Sequence, residues 1–120
     1  MPDPIRFSPV GPEGWLAVPS QQLEHAELLK GIPVGLDHAY FNRPEAKLRA
    51  GIWRCGPYAE RYDDYPVDEF MIVLEGEVTL EGDDGFRGTY RKGDAFLVPK
   101  GFRGVWNQPT DLLKYYVIIG

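Results

Sequence analysis

Hydrophobic residues follow two rhythms along this chain. From Leu36 onward they alternate with polar residues or form short unbroken runs, the period of strands. Ala39-Tyr40-Phe41 and Leu48 to Trp53 read as the first two strands. Phe70-Met71-Ile72-Val73-Leu74 is a continuous apolar run behind Glu69, and such a run predicts burial on both faces. Glu75-Gly76 turns the chain. Val78 and Leu80 then alternate with Glu77, Thr79 and Glu81, and Asp83-Asp84-Gly85 is a strong hairpin signal. Phe86 to Tyr90 returns from that hairpin. Lys92-Gly93-Asp94 turns into Ala95 to Val98, which Pro99-Lys100-Gly101 ends. Gly104 to Asn107 and Leu112 to Ile119 bring the predicted total to about eight strands. Their turn signals have the spacing of a sandwich or jelly roll.

The first third reads differently. Pro2, Pro4, Pro9, Pro12 and Pro19 forbid a regular helix over residues 1–19. Ser20 can cap a short helix over Gln21 to Lys30, with Leu23, Ala26, Leu28 and Leu29 as a partial apolar face and Gly31 as its stop. So short a helix needs tertiary packing to persist.

Composition narrows the partners. With 120 residues there is room for one domain, and no linker or repeat divides the chain. The net charge is −5 and no run of Lys or Arg occurs, so neither nucleic acid nor an anionic membrane is an expected partner. Cys55 is the single cysteine, which excludes an intrachain disulfide. Residues 1–6 lack the apolar core of a secretion signal, and no stretch is long and apolar enough to span a bilayer. The expectation is a cytoplasmic protein.

Two segments carry most of the information. One runs from Glu69 to Gly76, with six residues between them. The other has Gly93, five residues, Pro99, one residue and Gly101. Each is a strand meeting a tight turn: the glycines permit backbone angles other residues resist, and Pro99 has no N–H for strand pairing. Together they resemble the two motifs of the cupin superfamily. Asp68-Glu69-Phe70, Val73 to Gly76, Gly93-Asp94, Pro99, Gly101, Trp106 and Lys114-Tyr115-Tyr116 are most similar to small single-domain cupins of the ureidoglycine aminohydrolase and ethanolamine-utilisation type. The resemblance spans about Ala50 to Ile119. It implies an all-β fold, a double-stranded β-helix or jelly-roll barrel over residues 36–120, with residues 1–35 as an N-terminal extension containing the short helix. It also implies a homodimer and a pocket inside one end of the barrel.

Many cupins hold a divalent metal on three histidines and one glutamate. Here the first-motif histidine positions fall on Tyr62 and Asp64, or in the shorter register on Asp63 and Tyr65. The second-motif histidine position falls on Gly104. Only Glu69 of the four survives. Zinc and its neighbours favour imidazole or thiolate, so the expectation is no metal cofactor, at most a weakly held divalent cation at Glu69.

The candidate pocket residues are Glu69, Tyr62, Asp64, Trp53 and Trp106, with a small polar metabolite as the partner. Glu69 heads an apolar strand and the motif points it inward, available as a hydrogen-bond anchor or a general base. Its plain alternative is a solvated strand end. Tyr62 and Asp64 belong to an acidic, tyrosine-rich segment that either forms the pocket mouth or a solvated loop. Trp53 and Trp106 line the cavity or fill the core. Arg54 and Arg103 are candidate partners for Glu69 or a substrate carboxylate. Gly104 leaves space for Trp106 or a ligand where a histidine usually stands. Three functions remain open on this reading: a metal-independent binder, an enzyme acting on a ureide, amine or sugar-like metabolite with Glu69 as base, and a structural module with a filled barrel.

Overall fold

The computed structural model describes residues 2–120. In chain order its strands are β1 (Gln21–Gln22), β2 (Glu27–Gly31), β3 (Val34–Arg43), β4 (Leu48–Cys55), β5 (Tyr58–Tyr62), β6 (Asp68–Glu75), β7 (Glu77–Gly82), β8 (Arg87–Arg91), β9 (Ala95–Val98), β10 (Gly104–Gln108) and β11 (Leu112–Ile119). They form two antiparallel sheets. The first has six strands in the order β1-β3-β4-β11-β6-β9, the second five in the order β2-β5-β10-β7-β8. The expected jelly-roll character is there, but the hydrogen bonding resolves into two facing sheets rather than one continuous closed barrel.

The predicted helix over 21–30 is not formed. That segment supplies β1 to the edge of one sheet and β2 to the edge of the other. Leu23 is buried between the sheets instead of lying on a helix face. A ten-residue helix gains little without packing, whereas each half of this segment satisfies its backbone on an existing strand. Helical structure among the described residues is confined to single 3-10 turns at Pro12–Trp15 and Pro44–Ala46. No helix among them is long and apolar enough to cross a membrane.

The core lies between the sheets. Met71, Val73, Leu112 and Tyr116 from the six-stranded sheet pack with Tyr58, Val78, Leu80 and Trp106 from the five-stranded one. Alternation sets which side chains point there. Leu112, Lys114 and Tyr116 are buried while Leu113 and Tyr115 are half-exposed. Turns are made where the motif predicted them, with Gly76, Gly93 and Gly101 at φ of 83°, 91° and 91°. The other face of the six-stranded sheet is apolar too. Phe7 covers part of it, its carbonyl accepting the Tyr115 hydroxyl at 3.0 Å and its ring packing on Tyr40 and Tyr115.

Candidate functional site

Two inward rows of side chains meet across the space between the sheets. On the six-stranded sheet, Asp37, Trp53, Lys114 and Val73 are in register across β3, β4, β11 and β6. On the five-stranded sheet, Leu28, Glu60, Trp106 and Leu80 are in register across β2, β5, β10 and β7. These rows carry Glu60, 1 % exposed, and Lys114, 6 % exposed, inside, and Glu69, in phase with Met71 and Val73 on β6, joins them at 7 %. The β11–β6 ladder shifts register between Leu113 and Lys114. Such bulges re-aim side chains and are common beside functional sites.

Lys114 is held by three kinds of contact. Its Nζ donates to Glu69 Oε2 at 2.9 Å and to Met71 Sδ at 3.1 Å. It also lies 4.6 Å from the centre of the Trp53 ring and 4.9 Å from that of Trp106. Ion pairing and two aromatic faces together replace the water a buried ammonium has lost. The other Glu69 oxygen accepts the Tyr65 hydroxyl at 2.8 Å.

Glu60 is served differently. Its Oε1 accepts Tyr58 at 3.2 Å and also Tyr62, and its Oε2 accepts the backbone N–H of Ala26 at 2.8 Å. The last bond ties the β1–β2 connection, which crosses from one sheet to the other, over the end of the molecule. Among the described residues no lysine, arginine or histidine forms an ion pair with Glu60. Burial first, then the Glu60 charge, holds the Tyr58 and Tyr62 phenols well above their ordinary value; burial and the Glu69 charge do the same for Tyr65. All three are therefore neutral donors at physiological pH.

These groups face an open cavity of about 910 Å³, to whose lining residues 21–27 also contribute. That volume is in the range of small-molecule sites. Of the sequence candidates, Glu69, Tyr62, Trp53 and Trp106 line it together, and Asp64 stands exposed at its rim. Arg54 and Arg103 do not reach Glu69: both are exposed, and Arg103 lies 3.9 Å from Asp83. His25 is on the rim and His38 packs against Tyr40. Cys55 is buried, its carbonyl accepting from Gln108, and burial pushes its thiol up to about 12.

Two expectations need correction, and two residues need adding. The tyrosine-rich segment is a loop only in its second half: Tyr58–Tyr62 is the second strand of its sheet, which is why Tyr58 and Tyr62 point inward, while Asp63 and Asp64 stand exposed in the bend that follows. Gly104 does not leave a vacancy. A Cβ there would fall 2.2 Å from the Glu81 carbonyl oxygen, so the position is glycine because β10 approaches β7 closely. Glu60 and Lys114 were not singled out as site residues, yet they complete the site. The signal was available, since Lys114 alternates in phase with Leu112 and Tyr116, and Glu60 with Tyr58 and Tyr62.

The metal seen in many cupins does not fit this donor set. No cluster of three or more metal-binding side chains occurs among the described residues. The one surviving motif ligand, Glu69, already has an ammonium against it, and a divalent ion beside Lys114 would meet a like charge at close range.

A family model described as an EutQ-like cupin domain matches residues 43–116. A Pseudomonas syringae protein of unknown function from the DUF861 family is similar in structure, with a TM-score of 0.76 at 24 % identity, over 86 % of this chain and 45 % of that one. The chain thus spans less than half the length of that protein. The EutQ protein of Clostridium difficile aligns with a TM-score of 0.60 at 20 % identity, over 72 % of this chain and 68 % of that one. A Salmonella typhimurium protein described as a putative ethanolamine utilization protein Q aligns with a TM-score of 0.59 at 22 % identity, over 74 % and 70 %. At these identities the likeness speaks for the fold alone. A search of curated proteins finds no match.

Proposed function

The chain belongs to the EutQ-like cupin domain family, and on that premise we propose that it binds a small polar organic molecule between its sheets without a metal ion. The observation that carries this reading is the buried Lys114–Glu69 pair, 2.9 Å apart, on the wall of an open cavity. A buried ion pair adds little net stability over a well-packed apolar pair. Its presence beside an open aromatic-walled space supports a role in gripping a polar ligand, with Trp53, Trp106 and Tyr62 supplying the apolar contact. Glu69, Tyr62, Trp53 and Trp106 are the proposed contacts, and Asp64 a rim contact.

The test is a thermal-shift screen of polar metabolites against protein dialysed with chelator. A ligand that raises the midpoint of the native protein, and loses its effect when Trp106 is replaced by Ala, is the expected result. A screen in which nothing stabilises the protein, or in which the effect survives loss of Trp106, overturns the reading. The first of those outcomes favours a purely structural module.

A second reading, catalysis with Glu69 as general base, is supported by the pair itself. Tyr65 and Lys114 donate to the two oxygens of Glu69, which fixes the orientation of that carboxylate on the cavity wall. Glu69→Gln would then abolish turnover of the bound molecule while Trp106→Ala mainly weakens its binding. Full turnover by the Gln variant removes Glu69 from the chemistry.

The same premise supports a homodimer. The outward residues of β6, β9 and β11 form an apolar face that Phe7 covers only in part, and a second copy is the occupant we propose for the remainder.

A further inference from the structure

The balance of charges and hydrogen-bond directions inside the cavity specifies more than its size. Deep in the site are two carboxylates, Glu60 and Glu69, and one cation, Lys114. Lys114 is committed to Glu69, to Met71 and to the faces of Trp53 and Trp106. Arg61, at the rim, is turned outward, where Asp83 grips it at 2.6 Å and 2.9 Å and Asp63 accepts from it at 3.2 Å. Glu60 is left with neutral donors only. Over the whole lining, seven acidic side chains stand against Lys114, Arg61, His25 and Arg49, the last lying over the Tyr116 ring at 5.6 Å.

The hydroxyl directions point the same way. Tyr58 and Tyr62 donate to Glu60, Tyr65 to Glu69, and Tyr116 to Asp37 at 2.7 Å. Each phenol has one proton to give, and each has given it to a carboxylate. What these groups retain for a ligand is acceptor capacity. A carboxylate oxygen pair accepts about four hydrogen bonds, and Glu60 receives three. An anionic ligand would bring a further negative charge beside Glu60, against acceptors, with the one deep cation already neutralised. A cation rich in N–H donors meets the opposite situation, and the tyrosine and tryptophan faces favour it as well.

We infer that the ligand of this cavity is an organic nitrogen cation, a primary amine or a guanidinium group, seated on Glu60. This deepens the binding reading above and rests on it. A charged hydrogen-bonding partner supplies, beside the three neutral donors, the counter-charge Glu60 lacks. The chain of contacts Glu60–Ala26 N–H then links the bound cation to the β1–β2 connection across the mouth.

The experiment uses the full chain, 1,4-diaminobutane and methylguanidinium as probes, and butyrate and 1,4-butanediol as comparators of similar size, all at matched ionic strength. Binding is read by calorimetric titration and by the indole N–H resonances of Trp53 and Trp106. The expected result is saturable binding of both cations, at least tenfold tighter than of either comparator. Glu60→Gln is expected to weaken the cations at least tenfold, and Glu75→Gln, which removes one carboxylate charge outside the cavity, to retain them. Should Glu60→Gln fail to fold, the native protein decides through the ranking of the four probes. Tighter binding of butyrate or butanediol overturns the cation class while leaving the small-molecule reading intact. Cation binding that is indifferent to Glu60→Gln overturns the seat. Absence of saturable cation binding, where a polar metabolite from the thermal screen does bind, overturns the inference alone.

Discussion

The ammonium of Lys114 stands 2.9 Å from the Glu69 carboxylate with both groups more than nine-tenths buried. The carboxylate that heads the first motif thus faces inward, and the cation it meets comes from the last strand, 45 residues away in sequence. The pair is an arrangement that resists single substitutions. Breaking a buried ion pair from one side leaves an uncompensated charge and costs about 3–5 kcal/mol. Lys114→Met and Glu69→Gln are each expected to lower stability by that order in urea titrations. The double variant, with no buried charge left at this point, is expected to lose much less than the sum. Additive losses would show that the two groups are not coupled. For the same reason thermal stability is a poor control for any activity test that uses Glu69→Gln.

The buried phenols set the alkaline limit of the fold. Tyr58, Tyr62, Tyr65 and Tyr116 all have their ionisation pushed upward, foremost by burial and then by a neighbouring carboxylate. In the unfolded chain these phenols ionise near their ordinary value of about 10. Above that pH the unfolded state binds fewer protons than the folded one, so stability falls as pH rises. Below it their contribution is fully present. The expected slope is about 1.4 kcal/mol per pH unit for each phenol that ionises only on unfolding. Urea midpoints measured on either side of that pH check this. Phenolate absorbance from these four residues should appear together with unfolding and not before it.

The parts of this structure that were legible in the sequence are those where local chemistry leaves few choices. Gly76, Gly93 and Gly101 adopt positive φ at the turns, and Gly82 and Phe86 close the Asp83-Asp84-Gly85 hairpin through a 2.8 Å hydrogen bond. The motif pointed Glu69 inward, while the sequence left Trp53 and Trp106 open between cavity wall and core. What escaped depended on partners distant in sequence. Residues 21–30 carry a plausible helix pattern, but two sheet edges compete for them and win. Lys114 and Glu60 look like ordinary polar positions until the other strands bring Trp53, Trp106 and the tyrosines around them. A charged residue in phase with buried neighbours was the available signal, and its meaning rested on what stood across the cavity.

Cys55 is expected to be inert. It is 1 % exposed, and burial outweighs the nearby Lys114 charge in holding the thiol up to about 12. The thiolate is the reactive form, and little of it exists at neutral pH. A disulfide-exchange reagent should label Cys55 only as fast as the protein unfolds, with the rate rising as urea is added. Rapid labelling of the native protein at neutral pH would contradict the packing described here.

Installing the missing imidazole should not install a metal. At Gly104 an added Cβ meets the Glu81 carbonyl oxygen at 2.2 Å and the Gly82 Cα at 2.9 Å, both backbone atoms that cannot swing aside. Gly104→His is therefore expected to cost about 1–3 kcal/mol or more from overpacking. The variant should bind zinc or nickel no better than the native protein, since Glu69 remains paired with Lys114. Metal analysis after dialysis, with a urea titration alongside, measures both. A stable Gly104→His variant with one metal per chain would show that the strands can part and that Lys114 can be displaced.

The outer face of the six-stranded sheet bears on assembly. Ala50, Val117, Phe70 and Leu97 form one row in register across four strands, and Ile52, Tyr115, Ile72 and Ala95 form the next. Phe7 covers the Tyr115 side, and Ile52 is fully buried there. The other side is open: Phe70 is 38 % exposed, Leu97 55 % and Ile119 53 %. Contiguous exposed apolar surface of this kind marks an interaction site. If a second copy covers it, light scattering should give twice the chain mass. Phe70→Glu combined with Leu97→Glu should halve that mass while changing protomer stability little, because both side chains already meet solvent in the single chain. Native protein that runs as a monomer at high micromolar concentration would leave this face for another partner. A double variant that stays dimeric would move the interface elsewhere on the molecule.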